Sequence, residues 1–120
     1  MIETDTSDAR ILIVCLRGLV LTREFSGMAR LMEGKQMSHF QMLQDWRLLK
    51  QWNMEGWSVA ALQPWSAAAP HFKSVAIIHD GVWNRQAALF AAILRRENVL
   101  VRSWRPGSLS NASQWLLNLA

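Results

Sequence analysis

Phe72-Lys73-Ser74-Val75-Ala76-Ile77-Ile78-His79-Asp80 is the stretch that decides the fold. Phe72 to Ile78 is rich in β-branched residues, which crowd a helix and fit a pleated surface, so it reads as a strand ending at His79 and Asp80. Trp83, Ala87, Phe90 and Leu94 then recur on one helical face. Val99 to Trp104 reads as the next strand, Pro106-Gly107 as a turn and Leu109 to Leu119 as a last helix. In that helix Asn111 and Gln114 have the spacing of a capping box, and Ala112, Trp115, Leu116 and Leu119 supply an apolar face. A strand, a helix and a strand in succession place the two strands parallel, with the helix as crossover.

Working towards the N-terminus, the pattern repeats. Arg10 to Arg17 contains the unbroken apolar run Ile11 to Leu16 and reads as a buried strand bounded by Gly18. Thr22 is placed to cap a helix whose Phe25, Met28, Ala29 and Met32 fall at i, i+3, i+4 and i+7, with Glu24 in its first turn and Gly34 at its exit. Between His39 and Trp52, Phe40, Met42 and Leu43 followed by Trp46, Leu48, Leu49 and Trp52 mix period-two and helical spacings, and a strand is expected within residues 40–52. Asn53-Met54-Glu55-Gly56 turns the chain into a helix from Trp57 to Ala69. Pro64 would break that helix, which therefore kinks or restarts with Pro64 in its first turn. The reading is α/β: strands alternating with helices around a largely parallel sheet, with residues 1–120 as one domain.

Composition narrows the function. Apolar residues make up 51% of the chain and charged ones 18%, which leaves apolar surface over for a ligand or partner. The run Ile11–Leu16 falls well short of the roughly 20 residues that a spanning helix needs. Glu3, Asp5 and Asp8 stand where a secretory signal carries positive charge, so a cytoplasmic protein is expected. The lone Cys15 reads as a buried small hydrophobe. The net charge of +4 is scattered apart from Arg95-Arg96 and Arg102/Arg105, which speaks against nucleic acid and leaves acidic ligands or an anionic membrane surface compatible.

Gly56-Trp57 with Ala60-Ala61-Leu62, the stretch Phe72–Asp80 with Trp83, Val99-Leu100-Val101-Arg102 and Ala112-Ser113-Gln114-Trp115-Leu116 together resemble the SpoIIAA-like family, and Val14 to Thr22 fits that family's first long strand and turn. The resemblance implies a four- or five-stranded, mostly parallel mixed sheet flanked by about four helices. The same fold is similar to anti-sigma-factor antagonists (STAS domains) and to the core of CRAL-TRIO lipid-transfer domains. The functions it implies are binding functions.

In open α/β sheets ligands sit outside the carboxyl ends of the strands, where His79 and Asp80 fall. They read either as a polar clamp or, more plainly, as a helix cap and a backbone-held imidazole. Seven Trp and no Tyr are unusual, and Trp46, Trp52, Trp57 and Trp65 crowd around the strand expected within residues 40–52 and the helix after it. Size alone places most of them in the core, whereas Trp57 and Trp65, flanking the Pro-broken helix, are expected to line a pocket with Leu62 and Trp83. Ser58 stands near the serine that is phosphorylated in the antagonists the chain resembles, although the acidic, serine-rich surroundings are missing, and an N-cap explains it equally well.

His39, His71 and His79 lack ligand spacing, no phosphate loop or nucleophile elbow occurs, and neither a metal, a cofactor nor an enzyme is expected. Two readings follow. The first is a non-catalytic binder of an apolar or lipid-like small molecule, held between the sheet and the Trp57–Ala69 helix, with peripheral membrane contact. The alternative is a regulatory domain that binds a protein partner around Ser58. A homodimer is compatible with either.

Overall fold

The computed structural model describes residues 1–33, 41–53 and 57–119. Gly34, His39, Phe40 and, of the residues expected to turn the chain, Met54, Glu55 and Gly56 lie outside the described residues. The elements are β1 (Ile2–Asp5), β2 (Ile11–Leu21), α1 (Thr22–Glu33), β3 (Gln41–Asn53), α2 (Gln63–Ala68), β4 (Ser74–Ile78), α3 (Asn84–Arg96), β5 (Leu100–Trp104) and α4 (Leu109–Asn118). The sheet runs β1-β2-β3-β4-β5, with β1 antiparallel to β2 and every other pair parallel. The expected mixed α/β sheet with its flanking helices is thus what forms.

Sheet order explains where the helices lie. The crossovers β2-α1-β3, β3-α2-β4 and β4-α3-β5 all step in one direction, and right-handed connections then put all three helices on one face. That face carries the larger core, in which Val14, Trp46 and Ile77 meet Phe25, Trp65 and Phe90. Helix α4 is not a crossover, and among the described residues it is the one helix on the other face, with Ala112 and Leu116 against Ile11, Leu43, Ala76 and Ile78.

β3 accounts for the mixed spacing of its sequence. Cys15 pairs with Asp45 but Arg17 with Leu48, and Gly18 pairs with Leu49 but Leu19 with Gln51. Each shift inserts one extra residue in β3, so that its core residues run Met42, Gln44, Trp46 and then, after slipping twice, Leu49 and Trp52. Gln44 is fully buried, and its Oε1 accepts the Trp46 indole N–H at 3.1 Å.

Several expectations are corrected. β1 was not legible: Ile2–Asp5 is polar and mostly exposed, as an edge strand is. The helix expected from Trp57 is a turn over residues 58–62, and α2 starts only at Gln63, with Pro64 in its first turn, where the missing N–H costs nothing. Asn111 lies inside α4, whose N-cap is Ser108 without a side-chain cap, and Gln114 Nε2 donates to Asn118 Oδ1 at 3.3 Å instead of closing a capping box. At α1 the Glu24 side chain does reach back over the first turn, where its Oε1 accepts the Leu21 N–H at 3.0 Å.

Candidate functional site

The carboxyl ends of β3 and β4 gather most of the residues singled out in the sequence. Trp52, at the end of β3, stands edge-on to Trp57 with ring centroids 4.5 Å apart, and Trp83 is 6.5 Å from Trp52. Trp57 and Trp83 are half-buried and pack against the larger core. Val82, next to Trp83 in the chain, is 72% exposed, and Val59, two residues after Trp57, is 45% exposed. Among the described residues the indole N–H groups of Trp52 and Trp57 are buried without a hydrogen-bond partner. Such donors are costly to leave unmet.

Leu62 and Trp65 do not line a pocket. Both are completely buried in the larger core, where Trp65 packs on Phe25 and Phe90 and its Nε1 donates to the Phe25 carbonyl at 3.1 Å. The restart at Pro64 fixes α2 as a short plug that points Trp65 inward. The space expected to hold an apolar molecule between the sheet and this helix is occupied by the protein's own side chains.

Ser58 is exposed, and its Oγ accepts the Ala61 N–H at 3.1 Å, closing the turn ahead of α2. Asp80 Oδ1 accepts the Val82 N–H at 3.0 Å in a turn before α3. It does not occupy the cap position, which belongs to Trp83. His79 is buried; its backbone N–H donates to the Trp104 carbonyl and its Nδ1 accepts the Gly81 N–H at 3.1 Å. This contact requires an unprotonated Nδ1, as in the neutral imidazole. Burial lowers the His79 pKa from its ordinary 6.5, and Asp80 offsets only part of that.

The folded state therefore binds this proton less tightly than the unfolded chain. The contribution is intact above about pH 6.5 and is lost as pH falls through the lowered folded value. His79→Asn keeps an acceptor near Nδ1 and should flatten the urea midpoint between about pH 7 and 5. An unchanged slope would exonerate His79.

A cavity of about 580 Å³ opens beside His79 and Asp80, walled by Ala88 and Ala91 of α3 and by Ser103 and Arg105. Sequence reasoning reached its His79-Asp80 end but not its other walls, because no single segment announces a space formed between α3 and β5. A second groove, of about 370 Å³, lies on the α4 face of β1–β3. There Glu3 pairs with Arg17 at 3.0 Å and Asp45 with Arg47 at 2.8 Å. Burial alone would raise the Asp45 pKa, but hydrogen bonds and charge from Arg47 outweigh it and hold the carboxyl below its usual value. Cys15 is only half-buried in this groove and is not the core hydrophobe expected; burial and Asp45 push its thiol pKa up, away from the reactive thiolate. Among the described residues no group of three His, Cys, Asp or Glu could hold a metal ion, and no helix is long and apolar enough to cross a membrane.

No known family profile and no curated protein matches the sequence. Solved structures do match. An uncharacterized protein of the DUF3478 family with a SpoIIAA-like fold, from Shewanella loihica PV-4, is 19% identical with a TM-score of 0.63 over 97% of this chain and 92% of its own. The anti-sigma factor antagonist SpoIIAA in its unphosphorylated form is 7% identical with a TM-score of 0.53, over 95% and 98%. The likeness follows the backbone over nearly the whole chain, and the fold of this protein is SpoIIAA-like.

Proposed function

We propose that this chain is a non-catalytic regulatory module that binds a protein partner through the carboxyl ends of β3 and β4. The observation that carries the reading is that each half-buried Trp has an exposed aliphatic residue close by in the chain, Val59 two residues after Trp57 and Val82 next to Trp83, while both Trp pack near or against Trp52. Aromatic side chains held rigid by their neighbours and ringed by exposed aliphatics are the usual anchors of a protein interface. The likeness to a protein named as an antagonist of an anti-sigma factor favours a protein as occupant. Ser58 lies in the same surface, so that a phosphate added there would set a double negative charge against an apolar contact and weaken it. A lipid-like ligand has no comparable support, since Leu62 and Trp65 fill the space it would need.

Photo-crosslinking tests this. With a benzophenone side chain at Val82 and, as control, at exposed Leu31 on α1, one discrete protein adduct is expected from Val82 alone. Trp57→Ala should weaken that complex about 30-fold, the loss of an aromatic anchor worth about 2 kcal/mol, and Ser58→Glu should weaken it as well. Equal adducts from both positions, or cosedimentation with vesicles that Trp57→Ala abolishes, would overturn the proposal.

A further inference from the structure

β5 forms one edge of the sheet. The Leu100 N–H donates to the Lys73 carbonyl and the Trp104 carbonyl accepts from the His79 N–H. In a parallel ladder a residue turns both of its main-chain polar groups to the same side and its neighbours turn theirs to the other. Leu100, Arg102 and Trp104 therefore face β4, while Val101 and Ser103 turn their N–H and C=O groups outward. The Val101 carbonyl is met by Arg95 Nη2 at 2.8 Å, which agrees with this assignment. Among the described residues no strand lies against this edge.

The cavity of about 580 Å³ lies where a further strand would need room. The side chains of Ile77 and Ser103 stand in one cross-strand row, and Ile77 points into the core beneath α3. The next residue in that row, on a strand added beside β5, would direct its side chain to the same face, into the space walled by Ala88, Ala91, Arg95 and Arg105. Alanines leave the space open, and Arg95 and Arg105 outnumber the one carboxylate of its lining, Asp80.

Charge decides the occupant. Arg95, Arg96, Arg102 and Arg105 surround β5, and none of them is in an ion pair among the described residues. Arg102 instead lies 4.1 Å from the centre of the Trp104 ring. Asp80 also lines the cavity and keeps its charge while accepting the Val82 N–H, so two guanidinium groups, Arg95 and Arg105, stand there against one carboxylate and the lining is net positive. Pairing two copies of β5 would bring four arginines against four, and like charges directly opposite one another are destabilising. An acidic strand meets the same edge favourably.

We propose that the open edge of β5 accepts an extended acidic segment of a partner protein as an added strand, seating one carboxylate side chain in the cavity beside Ser103. The outward groups of Val101 and Ser103 provide the ladder bonds, and Arg95 exchanges the Val101 carbonyl for the incoming carboxylate. Trp57, Val59, Val82 and Trp83 are not among the residues that line this cavity.

The test uses fluorescein-labelled peptides of about six residues alternating Val with Glu, and Val with Lys. Saturable anisotropy is expected for the Glu peptide only, with slowed amide exchange at Val101 and Ser103 and none added at Leu100 or Arg102. Ala88→Leu, which fills the cavity from an exposed helix position, and Arg105→Glu should each weaken binding about tenfold. Arg105→Lys should recover much of it, and Trp57→Ala should leave it unchanged. Equal binding of both peptides, wild-type affinity in Ala88→Leu and Arg105→Glu, or a concentration-dependent dimer that protects the β5 amides would overturn the proposal.

Discussion

Trp65→Ala should lower the free energy of unfolding by about 4 kcal/mol, near the middle of the range for deleting a buried indole, and lower the melting temperature by roughly 15 °C. Trp65 has no exposed surface, it packs against Phe25 and Phe90 with ring centroids 4.9 and 5.0 Å away, and its N–H satisfies the Phe25 carbonyl. Truncation therefore leaves a cavity that aromatic neighbours cannot close without moving α1 or α3, and it orphans a hydrogen bond as well. Trp65→Phe refills most of the volume and should cost about 1–2 kcal/mol. Urea midpoints decide the matter. A cost below about 1 kcal/mol for the alanine variant would mean that Trp65 borders solvent or a pocket, as its sequence context suggested, and not the centre of the core.

The second large effect is expected on the opposite face. Ala112 of α4 is fully buried against a sheet surface that includes the fully buried Ala76, and the two small residues allow the close approach of helix and sheet. Ala112→Asp would bury an unpaired carboxylate there, at a cost above about 3 kcal/mol. The helix should detach before the rest of the fold yields, because the two cores lie on different faces of the sheet and involve different side chains. Hydrogen exchange would show it: amides of Leu109–Asn118 should lose protection while those of α1 and α3 keep theirs. Uniform loss across the chain would show instead that the two faces unfold as one unit.

How much of this was legible depended on how local the cause was. β4 and α3 could be read because β-branched density and a helical stripe of apolar residues are properties of a short window, and both elements form within two residues of the expected limits. β3 was blurred because its two extra residues exist only relative to β2, and slipping the alternation turned a strand pattern into spacings of three. The candidate site divided in the same way. Trp57, Trp83, His79 and Asp80 do gather at the carboxyl ends of the strands, as the rule for open sheets requires. Trp65 and Leu62 were misplaced because the exact start of α2, set by Pro64, rotates them into the core. Of the β5 cavity only the His79-Asp80 end had a sequence signal, since its other walls come from two elements that meet only in the folded chain.

The sheet order has a further consequence for how the protein is made. Each new strand lies beside the one before it, so the larger core can accumulate step by step as the chain leaves the ribosome, without waiting for a distant partner. The opposite face has no such protection. Ile11, Leu43, Ala76 and Ile78 are in place as soon as β4 docks, but the helix that shields them is not synthesised until residues 109–118. During that interval a nascent chain presents a nearly finished sheet with one apolar side bare. That interval is the one in which a chaperone would have most to hold, and in which slow translation after Ile78 would most increase aggregation.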